Sequence, residues 1–275
     1  NLYKNIEDRA VFLASINPYS NQDEWRNLLK TFLQYIINQA NAFASGNFTV
    51  GIQTYDQLTE LTNKMGESFA RDLYEYITSG CQCTGSQMKE GQRCFTYEQM
   101  NNIYNIRMFL YELAYWTRAY MLSRSKGIGN ASDVLARLKE VPDKYIAGLG
   151  AIFEMNYIAG DVKLLDRYIE LIDALITAQL EGNTDEVNNV VQNLYKNVDE
   201  RAALLASINP YWTQNEWRAI LSENIRSTIG ELNTFLTEDY ARNLDIFSTI
   251  LDQAEYASDY YEQGLLNYLY RQKSS

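Results

Sequence analysis

A chain of 275 residues that is 46% hydrophobic and 21% charged, with only three prolines, has enough apolar content to bury a large core and reads as globular and mostly helical. Its formal net charge is −11, and Lys and Arg are scattered singly, so no basic patch for a nucleic acid or an anionic membrane surface is visible. Histidine is absent, which removes the commonest general base and the commonest transition-metal ligand, and no apolar run is long enough for a transmembrane span.

The first predicted helix covers about 3–16 and ends at Asn17-Pro18, because proline disfavours helical geometry in the residue before it. The second starts at a capping box, Asn21-Gln22-Asp23-Glu24, and runs to about Ala44, where Gly46-Asn47 breaks it. A third continues over about 48–78. The segment 1–26 then returns at 193–218, identical at 18 of 26 positions without a gap. The same offset aligns 27–80 with 219–272, where six positions match: Leu29, Ile37, Asn41, Phe43, Leu73 and Tyr76. A strict corner followed by loosely similar helices points to shared packing rather than duplicated chemistry. The sequence opens at Asn1, inside the repeat and without an initiator Met. That reads as a leading segment removed or as part of a longer chain, and no signal peptide is legible.

Residues 81–95 read as a Gly-rich linker that holds Cys81 and Cys83, with Cys94 at its end. Three thiols without a fourth strong ligand make a poor zinc site, and C-x-C is not a thioredoxin motif. Two readings stand: a disulfide pins the loop and leaves one cysteine for an intermolecular bond, or the thiols stay free. A disulfide would place the protein outside the reducing cytosol, either extracellular or at a cell or spore surface.

The fourth predicted helix starts at Thr96, and Lys126–Asn130 is a turn. The fifth runs over about 131–157 with a kink or break at Pro142, and Gly160 separates it from the sixth at 161–181. Gly182-Asn183 leads into the seventh, the second copy of the first helix. Thr213–Glu216 is again a capping box, and the last helix covers about 239–271. No segment alternates at period two for long enough to be a strand. The expected fold is all-α: an up-and-down helical bundle with an internally repeated three-helix half-unit. Its parts are a first half-unit (1–80), the Cys/Gly linker (81–95) and a six-helix bundle (96–272) containing the second half-unit (183–272).

Candidate chemistry is sparse. Di-metal carboxylate bundles need Glu-x-x-His on two helices, and Ser-His-Asp and Cys-His sets also need histidine, so none can be built. Helical acids such as Glu112, Glu154, Glu170, Asp173, Glu223, Asp252 and Glu255 read as solvated charge. No phosphate-binding glycine loop is present. No catalytic residue, metal ligand or cofactor site is therefore expected. The most specific pattern is the corner INPYxxQxEWR, at Ile16–Arg26 and Ile208–Arg218. One reading makes Tyr19, Trp25, Arg26, Tyr211, Trp217 and Arg218 a recognition knob, since Tyr, Trp and Arg anchor interfaces. The other has the aromatics close the bundle end while Arg9, Arg201, Glu24 and Glu216 tie the turn.

Glu112-Leu113-Ala114-Tyr115-Trp116-Thr117-Arg118, followed by Ile208-Asn209-Pro210-Tyr211-Trp212 and Glu216-Trp217, resembles a family of helical-bundle proteins of spore-forming, mostly anaerobic bacteria. The resemblance covers roughly 100–272 and implies a broadly ferritin-like bundle. That family carries a histidine after the acid of the first motif and more on facing helices; Leu113 and Asn224 stand there in this sequence. Two functions follow as expectations. One is a non-enzymatic structural protein that self-assembles through its repeated half-units, with copies of itself as partners and neither nucleic acid nor a membrane span involved. The other is a ferritin-like metal-binding or redox bundle with a carboxylate/tyrosine site.

Overall fold

The computed structural model describes residues 2–78, 97–149 and 155–272. Among them all regular structure is helical, in nine helices: α1 (Leu2–Ile16), α2 (Gln22–Ala44), α3 (Phe48–Thr78), α4 (Tyr97–Lys126), α5 (Ala131–Leu149), α6 (Met155–Leu180), α7 (Thr184–Ile208), α8 (Gln214–Thr237) and α9 (Tyr240–Gln272). None is long and apolar enough to cross a membrane. Two compact units form, Asn1–Asn101 and Asn102–Ser275.

In the first unit α2 packs on both α1 and α3. Asn21 caps α2 by accepting from the backbone N–H groups of Asp23 and Glu24. The reciprocal half of the expected capping box is not made. Glu24 instead accepts from the Ser68 hydroxyl at 3.0 Å and pairs with Arg71, so the carboxylate ties α2 to α3 rather than closing its own turn. The chain leaves α2 through Gly46, whose φ of +70° is the left-handed conformation that glycine adopts without steric cost.

In the second unit α5 packs on α6, α6 on α7, α7 on α8 and α8 on α9. Helix α4 touches four of these through long side chains. Phe109 stacks on Tyr145 of α5, Tyr120 donates to Asp173 of α6, Arg118 pairs with Glu231 of α8, and Tyr115 meets Phe247 of α9. That all-round engagement explains why its sequence carries apolar and polar residues on every side instead of one stripe. Thr213 caps α8 and Glu216 turns to α9, where the Tyr256 hydroxyl donates to it at 2.8 Å. The turn from α8 to α9 repeats the left-handed conformation of Gly46 at Glu238, with φ of +62°.

One expected boundary moves: Gly160 lies inside α6, which begins at Met155. Pro142 lies inside α5 (Ala131–Leu149) and does not break it. Gly160 has a packing role instead: a Cβ there would stand 3.2 Å from a Leu204 methyl, so its absence lets α7 approach closely.

Candidate functional site

The corner after α1 is built from the inside outward. Asn17 accepts from the Tyr19 N–H and donates to the carbonyl of Asp72 at 2.9 Å, and the Ser20 hydroxyl donates to the Asp72 carboxylate. Trp25 is buried against Ala10, Leu13, Leu28, Leu61 and Met65, with Phe69 edge-on at 6.3 Å. Arg26, part-buried, reaches Glu7 at 2.6 Å and also pairs with Asp23. The guanidinium beside Glu7 holds that carboxyl below its usual range.

The corner after α7 uses the same frame with a larger aromatic filling. Asn209 accepts from the Tyr211 N–H, and Arg218 pairs with Asp199 as Arg26 does with Glu7. Trp217 meets Tyr261 edge-on at 5.9 Å, the position Phe69 holds toward Trp25. Trp212 stands where the first corner has Ser20, and Gly264 where it has Asp72. A Cβ on Gly264 would lie 1.9 Å from Trp212 Nε1, so the indole rests directly on the backbone of α9. One corner closes with a hydroxyl–carboxylate hydrogen bond and the other with an indole on a glycine.

Of the six corner residues singled out in the sequence, Trp25 and Trp217 are thus buried within their own units. Tyr19 and Arg218 are exposed, while Arg26 and Tyr211 are part-buried. Arg201 does not tie the turn. It makes a two-pronged pair with Asp161 of α6, at 2.7 and 3.1 Å, and Asn197 beside it donates to the carbonyl of Leu164. Cys81, Cys83 and Cys94 lie outside the described residues.

A second constellation went unrecognised in the sequence. Leu113, Thr117, Tyr168, Asn224, Thr228 and Glu231, from α4, α6 and α8, help line an internal cavity of about 60 Å³. Burial pushes the Glu231 carboxyl up to about 7 against the opposing pull of Arg118, which pairs with it. Arg118 also lies over the Phe247 ring at 4.3 Å. Leu113 and Asn224 both face this cavity. At that size it is far below the roughly 300 Å³ of a typical organic-ligand pocket. Among the described residues no three His, Cys, Asp or Glu side chains come together in a way that could hold a metal ion. Glu112, the acid of the motif, lies buried 3.5 Å from Arg137.

The largest contrast concerns surface. Residues identical across the repeat have opposite exposures: Leu2 is 63% exposed and Leu194 0%, Phe43 54% and Phe235 2%, Leu73 43% and Leu265 1%. Phe69 follows the same pattern against Tyr261. In the second unit these side chains form part of the core; in the first they stand exposed. Comparison with protein-family models, curated proteins and solved structures finds no match for the chain.

Proposed function

We propose that this chain is a non-enzymatic structural protein that joins chains of its own architecture into assemblies, with α1–α3 as the joining element. The observation that carries the reading is the open face of Leu2, Phe43, Phe69 and Leu73, whose counterparts in the second unit are buried. Apolar side chains that stand exposed where their repeat counterparts form a core are the kind of surface that marks an interaction site. Where the covering surface is a different one, the contact is heterologous and propagates into a ring or a filament.

The test is the mass of the native particle, by light scattering and negative-stain imaging, for the parent chain and for Phe43→Lys with Leu73→Lys. The parent is expected in particles heavier than one 31.8 kDa chain, and the variant as single chains with unchanged helix content. A parent that remains a single chain at every concentration contradicts assembly among identical copies.

A further inference from the structure

The second unit supplies a template for what the open face of the first unit accepts. There the face of α7–α9 is covered by α4–α6. Asp161 of α6 holds Arg201, the Leu164 carbonyl accepts from Asn197, and Gly160 lets Leu204 come close. Tyr145 of α5 meets the Tyr261 hydroxyl at 3.1 Å, and Arg118 of α4 lies over Phe235 at 5.2 Å.

The first unit keeps the receiving half of this arrangement. Asn5 stands for Asn197, Arg9 for Arg201, Phe12 for Leu204, Phe43 for Phe235 and Phe69 for Tyr261. All five are exposed, and neither Asn5 nor Arg9 has a partner among the described residues. An apolar surface alone accepts many partners. A guanidinium and a carboxamide held one turn apart among apolar groups demand a helix that offers a carboxylate and a free carbonyl at matching spacing. The described residues hold two such faces and one α4–α6 set, which α7–α9 already covers.

We propose that the open face of α1–α3 receives a three-helix unit of the α4–α6 kind, with an aspartate of that unit's third helix pairing with Arg9. This rests on the reading of α1–α3 as the joining element and names the chemistry of its partner.

A fused chain tests it. A second copy of residues 97–192 is placed ahead of Asn1, so that the added helices precede α1 as α4–α6 precede α7. Amide hydrogen exchange across α1–α3 is followed by mass spectrometry, at a concentration where light scattering gives one chain per particle. Exchange in α1, late α2 and late α3 is expected to slow roughly tenfold or more relative to the parent. Asp161→Lys in the added copy alone should remove much of that protection, and Arg9→Asp should restore it. Exchange as fast as in the parent overturns the proposal, whether or not the added segment is helical; so does protection indifferent to the charge reversal. A parent that never assembles, beside a protected fused chain, refutes assembly of identical copies and leaves this inference standing. A parent that assembles, beside an unprotected fused chain, does the reverse.

Discussion

Gly264→Ala isolates one contact of the second corner. The new methyl would lie 1.9 Å from Nε1 and 2.3 Å from Cδ1 of Trp212, an indole that is 3% exposed and wedged against Trp217 and Tyr261. A rigid ring in that position cannot yield by rotating a flexible end, so the cost belongs at the top of the overpacking range, about 3 kcal/mol. Alanine in place of glycine within a helix returns about 1 kcal/mol, leaving a net loss of about 2 kcal/mol. For a unit of this size that lowers the melting temperature by roughly 4–8 °C. Trp212→Ser, which installs the residue of the first corner, should cost about 3–5 kcal/mol alone. In that background Gly264→Ala has nothing to strike and becomes stabilising by about 1 kcal/mol, which gives a coupling of about 3 kcal/mol across the double-mutant cycle. Urea denaturation of the four proteins measures it. Effects that add within about 0.5 kcal/mol would show that the indole does not rest on Gly264.

Three further outcomes are expected. Glu231 has its folded pKa raised to about 7 by burial, so the native state holds its proton more tightly than the unfolded chain does. Its contribution is fully present below the unfolded value near 4.5 and is lost as pH rises through about 7, and Glu231→Gln should flatten the fall in melting temperature between pH 5 and 8. Glu262 is raised to about 7 in the same direction, so the substitution removes part of the slope and leaves the rest. Arg201→Met strands the Asp161 carboxylate in the interior and should destabilise the second unit by about 3–5 kcal/mol, whereas Arg9→Met, at an exposed position, should change the free chain by less than about 0.5 kcal/mol. Trp25→Ala should cost the first unit about 3–5 kcal/mol in thermal or urea unfolding, because the indole is buried against Ala10 and Leu28.

Most helix ends were legible because local chemistry marks them. Asn17-Pro18, Gly46-Asn47, the Asn21 and Thr213 caps and Gly182 each act within a few residues of themselves. Gly160 misled for the same reason: glycine signals a break in one place and a close helix approach in another, and only the position of Leu204 distinguishes them. The capping boxes misled because Glu24 and Glu216 have better partners on the third helix of each repeat than on their own first turn. The cavity and its ion pairs were beyond reach of local pattern. Arg118 and Glu231 are separated by most of the second unit, and each alone resembles a surface charge. The one available hint was α4, whose lack of a single apolar stripe suits a helix with neighbours on several sides. The repeat showed that α1–α3 and α7–α9 were related, but the opposite exposures of Phe43 and Phe235 depend on what stands beside them.

That contrast also supplies the most direct test of the account. Phe43→Ala and Phe235→Ala change the same residue at the same repeat position, one on an open face and one in a core. In the free chain Phe235→Ala is expected to cost about 3–5 kcal/mol of unfolding free energy and Phe43→Ala about 1 kcal/mol or less, with Phe43→Ala instead weakening the association of the chain with its partner unit. Equal destabilisation of the free chain by both substitutions, with association untouched, would contradict the claim that α1–α3 presents a docking face.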